Sequence, residues 1–261
     1  GVVSHHFRLQ GATVYSNDAE LYSAVIAHAF TRSFYTERVR NVIAEMNAVA
    51  AAAHPAAPGF VTRHYSPYEG NERMFFTVEN ARKIDAVRAM LEDTATTALT
   101  HDEYQFILAS IIISADAVSN VPAVYGCYLK NFKTKATKPF VLMPIHTITA
   151  SAESVTKSAA FNADVISNPT FLATTLPPVD IAYLDPPYNE RQYSKNYFPL
   201  NIIAKTPMSL MTEPTLKGKT GIPTDCFLSA FCRKGAAAET AFDTLIRGLR
   251  AKWIFLSYNS E

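Results

Sequence analysis

Apolar residues recur along the chain at two spacings, one typical of helices and one of strands. Five stretches carry an apolar residue every three or four positions, which predicts amphipathic helices. Their apolar stripes are Leu21, Val25 and Ala29; Val39, Val42, Ile43, Met46 and Val49; Ile84, Val87 and Leu91; Tyr104, Ile107, Leu108, Ile111, Ile112 and Ala115; and Phe242, Leu245, Ile246 and Leu249. Short β-rich or apolar runs at 13–16, 159–161, 179–184 and 253–258 predict strands. This mixture predicts an α/β protein.

Polar residues indicate where some of these elements begin. Asp18 precedes the first stripe and is placed to cap its helix. The second helix is predicted to start near Thr36, and Thr100 and Glu103 have the spacing of a capping box before the fourth. Residues 60–150 are mainly helical and interrupt the α/β pattern, so the predicted parts are 1–59, 60–150 and 151–261.

The run Val179–Leu184 is almost entirely apolar, as in a central parallel strand buried on both faces. It ends in Asp185-Pro186-Pro187-Tyr188, and ligand sites in open α/β sheets lie at such carboxyl ends. Two prolines fix the backbone and remove two donors, so the remaining polar groups are acceptors. Hydrogen-bond acceptors beside an aromatic ring can bind the exocyclic amino group of a planar heterocycle that stacks on that ring. A Pro-rich turn with a capping aspartate is the alternative on local grounds.

A basic run follows the fourth helix and predicts a nucleic-acid contact. Its members are Lys130, Lys133, Lys135 and Lys138, with Tyr125, Tyr128 and Phe132 nearby. Lysines neutralise phosphates and aromatic rings stack on bases. A solvated surface is the alternative for lysines at this spacing.

Composition narrows the class of protein. Of 261 residues, 48% are hydrophobic and 18% charged, which argues against disorder. A net charge of +1 differs from that of a strongly basic architectural protein, so any nucleic-acid contact must be a local patch. No apolar run approaches the length of a membrane span. The three cysteines fit no metal or disulfide pattern, which predicts a reduced, intracellular protein.

Several motifs, taken together, resemble one family. They are Tyr65-Ser66-Pro67, Glu72–Thr77, Glu79-Asn80-Ala81, Lys83-Ile84-Asp85, Val124–Lys130, Asp185–Tyr188, Tyr188–Tyr193 and Leu256–Asn259. With these motifs the chain resembles the amino-group DNA methyltransferases, specifically the DNA adenine-N6 methyltransferases. Motifs in this order over nearly the whole chain are far more specific than the tetrapeptide. Their order resembles the alpha-type arrangement, in which the insertion is the target-recognition domain.

The resemblance implies a Rossmann-like class I sheet that binds S-adenosylmethionine. Gly1 matches the last glycine of the family's cofactor loop, and Asn17-Asp18 matches the acid that holds the cofactor ribose. A carboxylate about 20 residues past a glycine loop binds ribose on general grounds too, although Asp18 could serve only as a helix cap. Asp164 matches an acceptor for the cofactor adenine, with a plain surface turn as its alternative. Asp185 completes the implied cofactor-binding set.

The resemblance also implies a reaction, in which an adenine leaves a specific DNA duplex and is methylated on N6 without a metal. The implied catalytic residues are Asp185, Pro186, Pro187 and Tyr188, and the expected DNA-binding residues are Lys130, Lys133, Lys135, Lys138, Arg191, Tyr193 and Tyr197. Individual roles for Arg191, Gln192 and Tyr193 stay open.

Three alternatives stay open from the sequence. They are methylation of cytosine N4 or of a guanine amino group in ribosomal RNA, a catalytically inactive DNA-binding fragment, and an unrelated α/β protein. The expected partner is double-stranded DNA; a cognate restriction endonuclease is a further candidate partner. We expect a monomeric, cytoplasmic protein of bacterial or viral origin. The family's motif order further predicts a fragment that starts at Gly1, inside the glycine loop, and stops after a late strand.

Overall fold

The computed structural model describes residues 1–52, 58–95, 99–149, 157–168, 170–206 and 212–258. Its helices are α1 (Val2–Leu9), α2 (Leu21–Thr31), α3 (Glu37–Ala51), α4 (Phe60–Tyr65), α5 (Val78–Ala95), α6 (His101–Ala117), α7 (Tyr193–Asn196), α8 (Phe198–Ala204) and α9 (Ala236–Gly248). Its strands are β1 (Tyr15–Asn17), β2 (Ala159–Phe161), β3 (Val179–Leu184), β4 (Leu216–Lys217), β5 (Ile222–Pro223) and β6 (Ala251–Leu256). The protein is thus mixed helix and sheet, as its sequence predicts.

The parallel strands form two pairs among the described residues. β1 pairs with β2, with Tyr15 opposite Ala159, and β3 pairs with β6, with Leu184 opposite Leu256. β4 and β5 form a short antiparallel hairpin. Helices lie between the two members of each parallel pair in sequence, as the crossover of a parallel arrangement requires.

β3 differs from the fully buried central strand that its apolar sequence predicts. Among the described strands its neighbour is β6 alone, and Ile181 and Tyr183 on one face are 48% and 45% exposed. Ala182, which points to the opposite face, is buried. A strand is covered on both faces only where other elements pack against each face. Within the described residues, other elements cover only one face of β3, the face on which Ala182 lies.

The principal hydrophobic core is helical. It is built by α2, α3, α4, α5, α6 and α8, and it buries side chains such as Met46, Leu91, Phe106 and Ile111 completely. Residues of 1–59, of 60–150 and of α8 all contribute to this one cluster. The predicted insertion therefore shares its core with the segments that flank it in sequence. The boundary at residues 150 and 151 lies outside the described residues.

A smaller cluster supports the second strand pair. Phe171, Leu172 and Leu245 are its buried members, and Leu184 at the end of β3 packs against them. Helix α9 supplies Leu245, so α9 covers the side of the β3–β6 pair on which Leu184 lies. This packing fixes the strand end from which the next segment leaves.

Capping residues set two helix starts as the sequence predicts. Thr36 is the N-cap of α3, and its hydroxyl oxygen accepts from the backbone N–H of Val39 at 3.1 Å. Thr100 and Glu103 form the capping box of α6: each side chain accepts from the backbone N–H of the other residue, at 3.3 and 3.0 Å. Both interactions satisfy N–H groups that a helix start leaves without partners.

Two residues that the apolar stripes place inward are exposed. Val49 of α3 is 41% exposed, because Ala50 beside it takes the buried position on that turn. Ile246 of α9 is 44% exposed, because the buried face of this helix is formed by Ala241 and Leu245, four positions apart. An α-helix has about 3.6 residues per turn, so in both helices a residue next to the predicted one points toward the core instead.

Candidate active site

The segment Asp185–Tyr188, named here the Pro-Pro loop, directly follows β3, as the sequence predicts. Asp185 and Tyr188 are exposed, and the two prolines are half-buried. The backbone N–H of Ser257 donates to the carbonyl of Leu184 at 2.8 Å, so the end of β3 is fixed beside the end of β6. The Asp185 carboxylate accepts no hydrogen bond from the described residues. Its oxygens are therefore available to a ligand.

Asp18 lies directly after β1, at the corresponding end of the other parallel pair. One carboxylate oxygen accepts from the backbone N–H of Glu20 at 2.8 Å, and the other accepts from the Ser23 hydroxyl at 2.5 Å. Burial raises the pKa of Asp18, against the opposing effect of these two hydrogen bonds. The N-cap position of α2 belongs to Glu20, so Asp18 closes a turn before the helix and is not its cap.

Gly1 directly precedes α1 and is the N-cap of that helix. The Gly1 nitrogen lies within electrostatic range of the carboxylates of both Asp18 and Asp185. A Cβ atom at Gly1 would lie 2.6 Å from a ring carbon of Phe30, which is closer than real Cβ contacts. A side chain at this position would therefore require the Phe30 ring to move. The roles of Gly1, Asp18 and Asp185 in cofactor binding stay predictions.

Two asparagine side chains join the ends of β1 and β2. The Asn17 amide donates to the carbonyl of Ala163 at 3.0 Å and accepts from its N–H at 3.1 Å. The Asn162 amide donates to the carbonyls of Asp18 and Ala19 at 2.8 and 3.0 Å. Asp164 follows this junction, half-buried, and accepts from the N–H of Ile166 at 3.0 Å.

The structure therefore places Asn17, Asp18 and Asp164 along one edge. Asn162 was not singled out from the sequence as a site residue. Its position two residues before Asp164, which the family resemblance matches to a cofactor contact, is the signal that could have identified it.

Three tyrosines form a surface that we name the aromatic wall: Tyr22, Tyr193 and Tyr197. Ring centroids of Tyr193 and Tyr197 are 5.8 Å apart and stacked, and those of Tyr22 and Tyr197 are 5.4 Å apart. Burial raises the pKa of Tyr193, and Tyr188 and Asp185 of the Pro-Pro loop add to that effect. The aromatic wall therefore lies beside the Pro-Pro loop. The sequence identified Tyr193 and Tyr197 but not Tyr22, whose contact is with a residue far along the chain.

The chain after the Pro-Pro loop is held by residues 226–232, which we name the strap. The Gln192 amide accepts from the N–H of Ser229 at 2.8 Å and donates to its carbonyl at 3.3 Å. The Ser194 hydroxyl donates to the carbonyl of Phe227. Two thiols complete the attachment, with Cys226 donating to the carbonyl of Ser194 at 3.8 Å and Cys232 to that of Arg191 at 3.4 Å. The Arg191 side chain is left exposed.

The lysine run is divided between two environments. Lys130, Lys135 and Lys138 are exposed, whereas Lys133 is half-buried and its ammonium donates to the carbonyl of Val121. Burial lowers the pKa of Lys133, and the adjacent Lys135 lowers it further. Lys133 therefore contributes to the local fold, and the other three lysines face solvent.

Tyr125, expected beside the lysines as a stacking surface, is instead almost completely buried. Its hydroxyl donates to Asp116 at 2.8 Å, and its ring packs against Phe75 and Tyr197. Tyr125 is buried because its ring belongs to a cluster of aromatic rings that packs around Phe75. Tyr125 therefore packs against Tyr197 of the aromatic wall from the interior of the protein.

Two further features of the described residues concern metal sites and membrane-spanning helices. Within them, no group of three or more His, Cys, Asp or Glu side chains is arranged to hold a metal ion. None of the helices in the described ranges is long and apolar enough to cross a membrane.

A family model matches most of the chain. The model for D12 class N6 adenine-specific DNA methyltransferases matches residues 1–235. This range contains Gly1, Asp18, Asp164 and the Pro-Pro loop. No solved structure matches the chain with comparable significance.

Curated proteins similar to the chain come from a virus and from bacteria. The Type II methyltransferase M.CviAII of Paramecium bursaria Chlorella virus 1 is 41% identical over 247 residues, which are 94% of this chain and 68% of that protein. The Type II methyltransferase M.NlaIII of Neisseria lactamica is 36% identical over 271 residues, covering 100% of this chain and 72% of that protein. The Type II methyltransferase M.FokI of Planomicrobium okeanokoites is 35% identical over 204 residues, 77% of this chain and 29% of that protein.

Proposed function

This chain belongs to the family of D12 class N6 adenine-specific DNA methyltransferases, and we propose that its methyl donor is S-adenosylmethionine. Site-specific methylation of adenine in DNA is the activity of this family. The observation that carries the proposal is that Asp18 and Asp185 each directly follow a strand of a parallel pair, the edge at which α/β folds bind ligands. Family membership favours adenine N6 over cytosine N4 and over the guanine amino group of ribosomal RNA.

We further infer that the two parallel strand pairs belong to one Rossmann-like class I sheet. Both pairs are parallel, and the residues directly after β1 and β3 approach the same Gly1 nitrogen. Carboxyl ends of parallel strands meet at one edge of a sheet, which is where such folds bind their ligands. In this arrangement 60–150 serves as the target-recognition part, and 1–59 and 151–261 form the catalytic core.

The residues at this edge fit the proposed cofactor. Asp18 accepts one hydrogen bond on each oxygen, and a carboxylate offers about four acceptor positions, so acceptors remain for ribose hydroxyls. Asp164 is proposed to accept from the cofactor adenine, with Asn17 holding the turn that carries it. When bound, S-adenosylmethionine supplies a methyl group carried on a positively charged sulfur.

The Pro-Pro loop is proposed to prepare the nucleophile. The N6 lone pair of adenine is delocalised into the ring, which makes the nitrogen a poor nucleophile. Each N–H of that amino group is accepted by one oxygen of the loop, either the Asp185 carboxylate or the Pro186 carbonyl. These hydrogen bonds favour a pyramidal nitrogen and concentrate the lone pair on it. Because Pro186 and Pro187 fix the backbone, the acceptors are held in place before the base arrives.

The target base must leave the duplex to reach this loop. Tyr188, which is exposed, is proposed to stack on the extruded adenine, with Tyr193 and Tyr197 of the aromatic wall beside it. Stacking on an aromatic ring is worth about 1–3 kcal/mol per base. The exposed Arg191 side chain is proposed to contact a phosphate next to the extruded base. Lys130, Lys135 and Lys138 are proposed to contact phosphates farther along the duplex.

A substitution at Asp185 tests the proposed chemistry. We expect Asp185→Ala to lower the rate of adenine methylation by about 10²-fold or more, because one of two acceptors for N6 is lost. The affinity for duplex DNA should stay close to that of the wild-type chain. Methylated nucleosides are measured by mass spectrometry, and DNA binding by fluorescence anisotropy.

A second aspartate on the same strand provides the matched control. Asp180 lies on β3, is exposed, and pairs with Lys252 at 2.6 Å. Asp180→Ala should methylate DNA at the wild-type rate. Near-normal turnover by Asp185→Ala would refute the assigned role. A wild-type chain that binds duplex DNA but shows no heat of S-adenosylmethionine binding in calorimetry would favour the alternative of an inactive DNA-binding module.

The names of the relatives bear on the biological setting. Several are Type II methyltransferases or modification methylases, so we propose that this chain protects DNA in a restriction-modification system. A cognate restriction endonuclease that acts on the same sequence is part of that proposal. A monomeric state and a cytoplasmic location stay predictions.

A further inference from the structure

Asn201 of α8 joins two parts of the molecule that are far apart in sequence. Its side-chain nitrogen donates to a carboxylate oxygen of Glu20 at 2.7 Å. Its side-chain oxygen accepts from the backbone N–H of Tyr22 at 3.0 Å. Both partners lie at the start of α2, 181 and 179 residues away along the chain. One side chain therefore fixes α8 against the first turn of α2.

The two partners require a side chain that both donates and accepts at this position. The Glu20 carboxylate can only accept when ionised, and the Tyr22 N–H can only donate. A side chain that serves both must offer a donor and an acceptor in one plane, as the amide of Asn does. Glu20 is 7% exposed, so loss of its hydrogen bond would leave a buried carboxylate without that partner.

Glu20 in turn touches the proposed cofactor edge. Its backbone N–H donates to the Asp18 carboxylate at 2.8 Å, and Asp18 is the residue proposed to hold the cofactor ribose. The side chain of Glu20 thus binds Asn201 while its backbone binds Asp18. Glu20 is therefore the single residue that links Asp18 to Asn201 of α8 by hydrogen bonds.

The other end of this connection reaches the Pro-Pro loop. Tyr22 packs its ring against Tyr197, at the start of α8, and Tyr197 stacks on Tyr193 of α7. Tyr193 lies near Tyr188 and Asp185. Asn201 and the Tyr22 ring therefore hold the same two helices, one by hydrogen bonds and the other by packing.

We propose that Asn201 is a positioning residue that sets the distance between the cofactor edge at Asp18 and the aromatic wall beside the Pro-Pro loop. This inference rests on the proposed function. Asn201 touches no reacting atom, so its effect is on alignment of the target base with the methyl donor. Misplacement of reacting groups by about 1 Å can cost about 10²-fold in rate.

The first test separates alignment from binding. Asn201→Asp keeps the size of the side chain and the acceptor for Tyr22, but it places a carboxylate against that of Glu20. We expect kcat to fall by about 10- to 100-fold. The KM for DNA and the calorimetric Kd for S-adenosylmethionine should change by less than about threefold.

Rescue and a matched control separate this role from a general loss of stability. Adding Glu20→Gln to Asn201→Asp lets the introduced amide donate to the introduced carboxylate, and we expect kcat to recover to within about threefold of wild type. Asn47 is the control, because its amide likewise donates to and accepts from one backbone residue, Leu142, at 2.9 and 2.8 Å. Asn47→Asp should lower the melting temperature and leave kcat unchanged.

Hydrogen exchange gives a readout that does not depend on turnover. We expect S-adenosylmethionine to slow amide exchange in 193–204 by about threefold or more in the wild-type chain, and to have no such effect in Asn201→Asp.

Four results would overturn the positioning role: wild-type kcat in Asn201→Asp, no recovery on adding Glu20→Gln, an equal loss of kcat in Asn47→Asp, or cofactor binding without slower exchange. Absence of cofactor binding to the wild-type chain would refute the proposed function as well, so the two failures are distinguishable.

Discussion

The four lysines of the lysine run do not all have the same role. The ammonium of Lys133 donates to Val121, and its backbone N–H donates to the Asn120 side chain at 3.0 Å. Lys130, Lys135 and Lys138 form no ion pair among the described residues and are exposed. Residue type and spacing alone therefore could not separate the structural lysine from the three that face solvent.

This division predicts how DNA affinity depends on salt. Replacement of Lys130, Lys135 and Lys138 by Ala should weaken duplex binding and reduce the slope of log K against log salt by about 2–3, because each phosphate contact contributes about 0.9. Lys133→Ala should change this slope little, since its ammonium is used on Val121. Binding is measured by anisotropy at several salt concentrations. Equal slopes for the triple variant and the wild-type chain would exclude the lysine run from the DNA interface.

The site itself was predictable where its residues are close in sequence or belong to a motif. The Pro-Pro loop follows a strand whose apolar run is visible, and Asp18 follows another. Asn201 and Tyr22 had no such signal, because their roles depend on contacts between residues far apart along the chain. Gln192 lies within a motif, yet its partner Ser229 does not, so its role could be assigned only from the fold.

At the scale of elements, His146 connects the segment after α6 to α2. One ring nitrogen, Nε2, donates to the carbonyl of Ala29 at 3.0 Å, and Nδ1 accepts from the N–H of Ile148 at 3.3 Å. Phe106 packs edge-on against the ring at 4.8 Å, and His5 stacks on it at 5.7 Å. Because one nitrogen donates and the other accepts, this arrangement suits the neutral imidazole alone.

Acid should therefore weaken this connection. Burial lowers the pKa of His146 to about 4 from an ordinary value of 6.5. Between these values the unfolded chain binds a proton that the folded chain does not, so stability falls as the pH decreases through this window. The largest slope from this residue is about 1.4 kcal/mol per pH unit.

A variant isolates the contribution of His146. His146→Phe should be less stable than the wild-type chain above pH 6.5, because two hydrogen bonds are lost, yet it should lose less stability between pH 6.5 and 4. Free energies of unfolding in urea at several pH values test this. Burial also lowers the pKa of His5, His64 and His101, so the difference between the two chains is the informative quantity. Parallel pH profiles would contradict the prediction.

At the scale of the whole molecule, one helical core joins segments that the motif order separates. Helices of 1–59 and 60–150 bury their apolar faces against one another and against α8. Sequence periodicity predicted five of the described helices and most of their buried faces, because each face is a local property; these helices are α2, α3, α5, α6 and α9. It could not predict which faces meet, nor that β3 has a single strand neighbour among the described residues, because both depend on distant packing.

The shared core predicts shared stability. Leu91→Ala, a change at a fully buried position in α5, should lower the free energy of unfolding by about 2–5 kcal/mol. Because the cluster also contains α2 and α3, the entire helical transition should shift to a lower denaturant concentration. Circular dichroism during urea unfolding measures this. Ile113→Ala on α6, where the side chain is 43% exposed, should change stability by less than about 0.5 kcal/mol. Two helical transitions with only one displaced would argue against a common core.

The attachment of the strap has a consequence for oxidation. Burial raises the pKa of Cys226 to about 11 and also raises that of Cys232, so both thiols stay protonated at neutral pH. The thiolate is the form that oxidants and alkylating reagents attack. Both hydrogens are moreover used on the carbonyls of Ser194 and Arg191. We therefore expect oxidants to react with exposed Cys127 before either strap thiol. The strap should then stay attached to the chain after the Pro-Pro loop under mild oxidation.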